Sequence, residues 1–72
     1  HEHFVKRLRE KFPKLTPKDQ KLCAYLRMNL TTKEIAPLLN ISVRGVEISR
    51  YRLRKKLDLD SETNLVAFIL QV

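Results

Sequence analysis

The chain has 72 residues, and its 15 Lys and Arg against eight Asp and Glu give it a formal net charge of +7 at pH 7. A hydrophobic content of 43% is too high for a disordered segment, and no uninterrupted apolar stretch approaches the roughly 20 residues that a membrane span needs. The single cysteine, Cys23, excludes an internal disulfide, so we expect a buried thiol in a reducing cytoplasm. The positive charge favours a polyanionic partner, with nucleic acid ahead of an acidic membrane surface.

The first predicted element is an amphipathic helix over residues 2–12. Phe4, Leu8 and Phe12 recur at a spacing of four, and basic residues occupy several of the remaining positions. Pro13 ends this helix, because the residue before a proline resists helical geometry.

A second helix is predicted over residues 17–28. Thr16 is placed to cap it, because its hydroxyl can accept from the backbone N–H three residues later, and Pro17 suits the first helical position. Asn29 tolerates the left-handed conformation in which a helix often ends. We expect the inner face to consist of Leu22, Cys23 and Leu26.

A third, short helix is predicted to open with a capping box between Thr31 and Glu34 and to end at Asn40. Pro37 removes one backbone hydrogen bond, but near the first turn, so we expect a slight distortion and not a break. The residues expected to be buried are Ile35, Leu38 and Leu39.

Ser42 is predicted to cap a fourth helix that runs to about residue 57. At 100° per residue, its apolar residues form only a narrow inner seam. The seam consists of Val46, Leu53 and Leu57.

The exposed side of the fourth helix carries Ile48 and Tyr51 among basic residues. A merely soluble helix would balance Lys with Glu, and a membrane-surface helix would need a wider apolar face. A helix in the major groove of DNA needs this mixture, because flanking cations neutralise phosphates while central side chains meet base edges. The third and fourth helices therefore indicate a helix-turn-helix, and the hydroxyls and ammonium of Thr31, Thr32 and Lys33 can clamp a phosphate.

A turn over residues 58–60 precedes a last helix, for which Asp60 or Ser61 is the predicted cap. The apolar residues of this helix form two stripes, of which the domain's own core can cover one. A second copy of the chain is expected to cover the other, so the protein should dimerise through this helix. The predicted dimer interface consists of Val66, Ile69 and Leu70.

Short motifs, weak alone, together resemble the LuxR/FixJ-type (GerE-like) DNA-binding domains of bacterial transcriptional regulators. The resemblance runs from residue 15 to about residue 70. It rests on Leu15-Thr16, Lys33-Glu34-Ile35-Ala36, Leu39-Asn40-Ile41-Ser42, Val46, and Lys56-Leu57 followed by Leu59. Residues 47–57 resemble a variant typical of regulators from the Bacteroidetes.

The resemblance implies an all-α fold: a four-helix LuxR-type helix-turn-helix domain with an additional N-terminal helix. By this resemblance residues 15–72 are the DNA-binding domain, and residues 1–14 are expected to connect it to a preceding region. The chain would be the output domain of a larger, signal-responsive regulator, such as one of a two-component system. Its expected partners are double-stranded DNA, a second copy of the chain, and in some contexts RNA polymerase.

The predicted DNA contacts fall into two sets. Base contacts are predicted for Glu47, Ile48, Tyr51 and Lys55. Phosphate contacts are predicted for Thr31, Thr32, Lys33, Arg44, Arg50, Arg52 and Arg54.

Four positions depart from the family pattern, Asn29, Gly45, Glu47 and Ser49, and two of them bear most directly on DNA binding. The family usually has Lys where Glu47 stands, and two interpretations of the glutamate stay open: acceptance from cytosine N4, or an ion pair within the helix with Arg44 or Arg50. The family usually has Thr where Gly45 stands. A glycine inside a helix costs about 1 kcal/mol relative to alanine, and the sequence offers no reason for it beyond close approach of a neighbour or of DNA.

Two other functions compete with this interpretation. Region 4 of a sigma factor also binds promoter DNA, together with RNA polymerase, but the extended apolar last helix argues against it. A basic helical module could instead dock an acidic protein. An enzyme, a cofactor site and a small-molecule substrate are not expected, because no nucleophile–base pair and no metal-ligand spacing occurs. His1 and His3 could hold a stray metal, but they lie at an end expected to fray.

Overall fold

A computed structural model describes residues 2–72 of the protein and folds them into five helices. They are α1 (Glu2–Lys11), α2 (Pro17–Arg27), α3 (Thr32–Leu39), α4 (Val43–Lys56) and α5 (Leu65–Leu70). The predicted all-α class and helix order are confirmed, and the first four helices end within one residue of their predicted ends.

Side-chain caps start α2, α3 and α4 where the sequence predicts them. Thr16 Oγ1 accepts from the backbone N–H of Asp19 at 3.1 Å, and the Asp19 carboxylate accepts from the backbone N–H of Thr16 at 2.9 Å. Thr31 and Glu34 repeat this capping box at the start of α3, with distances of 3.1 and 2.8 Å. Each box satisfies two N–H groups that have no partner within the helix or the preceding turn. The short third helix is thereby fixed at its start and continues through Pro37 without a break.

α2 lies at the centre of the fold, where it contacts each of the other four helices, and α3 packs most extensively against α4. The predicted inner residues of α2 and α4 are all buried. The core consists of Phe4, Leu8, Leu15, Leu22, Cys23, Leu26, Ile35, Ala36, Val46, Leu53, Leu57, Leu65 and Ile69.

α1 contributes to this same core through Phe4 and Leu8, which are fully buried. The Phe4 ring also carries the Arg27 guanidinium at 4.7 Å from its centroid. Arg7 Nε donates to the backbone carbonyl oxygen of Val72 at 2.8 Å, so α1 also reaches the residues that follow α5. The N-terminal helix is therefore packed against the rest of the fold.

The burial predicted for α3 is wrong at one residue. Ile35 is buried and Leu39 is half-buried, but the Leu38 side chain is 53% exposed. α3 packs between α2 and α4, and its buried arc turns toward Ala36. A rotation of about 100° per residue carries Leu38 to the far side of Ile35 from that arc.

The predicted cap of the last helix is also wrong. Asn64 caps α5, because its side-chain oxygen accepts from the backbone N–H three residues later at 2.9 Å. The Asp60 carboxylate instead accepts from two backbone N–H groups of the preceding loop and from the Thr63 hydroxyl, at 2.9 to 3.0 Å. These hydrogen bonds, the Thr63 hydroxyl first, hold the pKa of Asp60 below its ordinary value of 3.8. Because α5 begins at Leu65, Asp60 and Ser61 both lie in the loop before its cap.

His1, one of the two histidines considered above for a stray metal, lies outside the described residues. Within the part of the chain that the structure describes, no group of three or more His, Cys, Asp or Glu could hold a metal ion. No helix in that part is long and apolar enough to cross a membrane.

Candidate nucleic-acid interface

The candidate interface is the exposed side of α4, held outward by the buried seam on its other side. Val46 and Leu53 are fully buried against the core, and this fixes the rotation of the helix about its axis. The opposite side consequently faces solvent, where Ile48 remains 41% and Tyr51 60% exposed. All four residues predicted to contact bases are exposed: Glu47, Ile48, Tyr51 and Lys55.

Two of these side chains pack on each other. Lys55 Nζ lies 4.7 Å from the centroid of the Tyr51 ring, one helical turn away. A cation over an aromatic face at an exposed site is attracted by about 0.5–1 kcal/mol. The contact holds the tyrosine ring and the lysine ammonium together on the exposed side of α4.

Glu47 is the one acidic residue of α4, which contains six basic residues. It is exposed, and within the described residues its carboxylate forms no ion pair with Arg44 or Arg50. Of the two interpretations left open by the sequence, the ion pair within the helix is therefore not observed. The carboxylate faces solvent beside Ile48.

The start of α3 and the middle of α4 meet at an open cleft of about 420 Å³. The cleft brings together residues predicted to contact phosphates and residues predicted to contact bases. Its lining consists of Thr32, Glu47, Arg50, Tyr51 and Arg54. The other predicted phosphate-contacting residues are exposed on α3 and α4 or just before α3: Thr31, Lys33, Arg44 and Arg52.

Arg54 has a structural role that the sequence did not predict. Its Nη1 donates to the backbone carbonyl oxygen of Thr63 at 2.6 Å and to that of Asp60 at 3.3 Å. These bonds tie the C-terminal half of α4 to the loop before α5. Only Nη1 of the guanidinium is used in these bonds, so Nε and Nη2 keep donors for a phosphate, and the phosphate contact of Arg54 stays a prediction.

Gly45, unexplained by the sequence, lies in the first turn of α4. Its backbone N–H donates to Ser42 Oγ at 2.9 Å, which is the predicted cap. A Cβ atom at position 45 would lie 3.3 Å from this same Oγ and 3.4 Å from the Cβ of Ile41. The glycine thus leaves room for the capping hydroxyl and for the half-buried Ile41.

An ion pair that the sequence did not reveal anchors the end of α4. Lys56 Nζ lies 2.6 Å from the Asp19 carboxylate, and the side chains are 35% and 12% exposed. Burial alone would raise the pKa of Asp19, but hydrogen bonds from Lys56 and Thr16, together with the Lys56 charge, lower it below its ordinary value of 3.8. No local signal in the sequence points from Asp19 to a partner 37 residues later.

The residues predicted for the dimer interface separate into two environments. Leu70 is 58% exposed and Val66 is half-buried, and they lie one turn apart on α5. Ile69 is fully buried in the domain's own core. The prediction that Ile69 contacts a second copy is therefore wrong, because its side chain is not accessible.

Residues 13–69 match the family described as bacterial regulatory proteins, luxR family, through its GerE domain. The match spans most of the chain and includes α3 and α4. The chain belongs to the LuxR family. The resemblance inferred from the motifs is thereby confirmed, and membership of the LuxR family implies DNA binding and transcription regulation.

One curated relative of this LuxR-family domain is the tetrathionate response regulatory protein TtrR of Salmonella typhimurium, which is 34% identical over 55 residues. The alignment covers 76% of the chain and 27% of the relative, so the chain spans about a quarter of that protein's length. No solved structure matches the LuxR-family chain significantly.

Proposed function

We propose that this LuxR-family domain binds double-stranded DNA sequence-specifically, with α4 in the major groove, and regulates transcription as the output domain of a larger signal-responsive regulator. The observation that carries the proposal is the exposed side of α4, where Ile48 and Tyr51 lie exposed among cations. Cations suit phosphates, and apolar or aromatic side chains suit base edges, including the thymine methyl group. We propose the cytoplasm as the place of action.

The proposed contacts follow from the exposed residues. Base edges are contacted by the exposed set on α4: Glu47, Ile48, Tyr51 and Lys55. Phosphates are contacted by residues at the start of α3 and on the flanks of α4: Thr31, Thr32, Lys33, Arg44, Arg50, Arg52 and Arg54. The first three precede or begin α3, where backbone N–H groups and the helix dipole favour an anion.

The proposal includes a homodimer on DNA, formed through α5. Leu70 and Val66 form an apolar stripe on the side of α5 that the core leaves partly uncovered. A two-fold dimer would place two copies of α4 at half-sites about one helical turn of DNA apart. RNA polymerase is the further partner that a transcription regulator of this kind would contact.

The test is selection of bound duplexes from a random DNA pool, followed by titrations of the selected site at several salt concentrations. If the five cations Lys33, Arg44, Arg50, Arg52 and Arg54 each neutralise one phosphate, the logarithm of the affinity should fall with the logarithm of salt concentration at a slope of about −4 to −5 per domain. The control is Arg52→Ala, which should weaken all duplexes alike and reduce the slope by about 1. A flat salt response, or a pool without enriched sequences, would contradict the proposed function.

A further inference from the structure

The acidic side chain on the exposed side of α4 needs an explanation if that side meets DNA. Glu47 lies beside Ile48, with Arg44 one turn before it and Arg50 one turn after it. In the described part of the chain neither arginine forms an ion pair with it, so water solvates the carboxylate. In the described part of the free protein, the Glu47 carboxylate therefore makes no stabilising contact.

The Glu47 carboxylate becomes unfavourable when α4 enters the major groove of DNA. A carboxylate that loses water without gaining a hydrogen-bond donor is strongly unfavourable, and the surrounding phosphates repel it. An ionised carboxylate can only accept hydrogen bonds. Glu47 must therefore meet a donor on a base edge, or it weakens binding at every sequence.

The major groove offers two such donors, cytosine N4 and adenine N6. Adenine presents its N7 acceptor next to N6, so a carboxylate oxygen placed there faces a second lone pair. The major-groove edge of cytosine has the N4 donor and no acceptor. The hydrogen-bonding groups of guanine and thymine on that edge are all acceptors. Cytosine is the base that a carboxylate fits best.

We infer, on the basis of the proposed function, that Glu47 selects a C·G base pair at one position of each half-site by accepting a hydrogen bond from cytosine N4. Arg44 and Arg50 offset its charge against the phosphates on either side. The specificity arises largely by rejection, because guanine or thymine at that position opposes the carboxylate with an acceptor. Glu47 is in this sense a specificity-determining residue of the exposed side of α4.

The experiment compares the wild type with Glu47→Gln, which keeps the shape and removes the charge. A glutamine can pair with both N6 and N7 of adenine, so selection from a random pool should change its preferred base from cytosine to adenine at one position per half-site. For the wild type, replacing the cytosine there should weaken binding by about 5- to 150-fold, whereas Glu47→Gln should lose this discrimination. Glu47→Gln should also bind random DNA more tightly, because one repelling charge is absent.

Glu47→Ala is the matched control for adenine recognition, since it should lose the cytosine preference without gaining one for adenine. Circular dichroism of the three proteins should be the same, because Glu47 is exposed and has no hydrogen-bond partner in the described residues. If the wild type and Glu47→Gln select the same base at every position, the assignment to Glu47 is overturned while the proposed function stands. If the wild type selects no sequence at all, the proposed function fails and the assignment fails with it.

Discussion

α4 and α5 both expose apolar side chains, but the charges around them differ. Ile48 and Tyr51 on α4 are 41% and 60% exposed within a helix that contains six basic residues. Leu70 on α5 is 58% exposed in a helix that contains no charged residue. A contiguous patch of exposed apolar residues indicates a contact surface, and the charges around the patch indicate which kind of partner it binds. The difference supports DNA as the partner of α4 and a second protein copy as the partner of α5.

The largest expected effect separates two adjacent residues of α5. Ile69→Ala should lower the free energy of unfolding by about 2–5 kcal/mol, because a fully buried side chain is truncated. Leu70→Ala should change it by less than about 0.5 kcal/mol, since more than half of this side chain is already in water. Urea denaturation of both variants measures the difference. Equal losses would mean that Leu70 belongs to the core and that α5 has no free apolar stripe.

The next largest effect is expected for sequence-specific DNA binding by α4. Tyr51→Ala should weaken binding to the selected DNA site by about 1–3 kcal/mol and leave binding to random DNA almost unchanged, because a base contact carries sequence information and a phosphate contact does not. Fluorescence anisotropy with both duplexes provides the measurement. Lys33→Ala is the matched control and should weaken both duplexes alike. Equal losses on both duplexes for Tyr51→Ala would remove Tyr51 from the base-contacting set.

A smaller effect is expected for pairing of two copies. Leu70→Glu should abolish cooperative binding to two half-sites about one helical turn apart, because it places a charge in the proposed apolar interface. The loss of leucine burial in the dimer alone amounts to about 1 kcal/mol per copy. Affinity for a single half-site should remain that of the wild type. Gln71→Glu adds a charge at the next, already polar position and serves as the control. Unchanged cooperativity in Leu70→Glu would place the dimer surface elsewhere.

The smallest effect concerns the ion pair at the end of α4. A carboxylate whose pKa is lowered by folding stabilises the fold above its unfolded pKa, and this contribution is lost as pH falls through the lowered folded value. Lys56→Met should therefore lose about 0.5–1 kcal/mol of stability at pH 7, a modest amount because the pair is partly exposed. The difference in stability between this variant and the wild type should shrink as the pH falls below 3.8, the ordinary pKa of Asp19. Lys21→Met, at an exposed position of α2, should show no such pH-dependent difference.

Features determined within a few residues could be predicted from the sequence. The caps at Thr16, Thr31 and Ser42 each use a backbone N–H three residues away, so spacing alone identifies them. The exposed side of α4 follows equally directly, because a buried seam at a rotation of 100° per residue determines what lies opposite. Helical periodicity alone therefore assigns the predicted base-contacting residues to the exposed side of α4.

Features determined by distant contacts could not be predicted. Spacing alone does not choose among Asp60, Ser61 and Asn64 as the cap of α5, because all three residue types cap helices. The loop that contains these residues is held by Arg54, from nine residues away, through the Thr63 carbonyl. The exposure of Leu38 depends on how α3 packs between two other helices. For Glu47, spacing allows an ion pair with either neighbouring arginine, and only the side-chain positions exclude it in the described residues.

The rate at which the Cys23 thiol reacts can measure how often the core of the domain opens. The thiol is fully buried, and burial first, with the charge of Asp19 second, raises its pKa to about 12. At neutral pH almost none of it is thiolate, the form that reacts with alkylating reagents. Labelling therefore waits for a transient opening of the core, and its rate reports how often the native domain opens. A duplex that binds only the folded form should slow this labelling in proportion to its occupancy, without any probe on the DNA-binding surface.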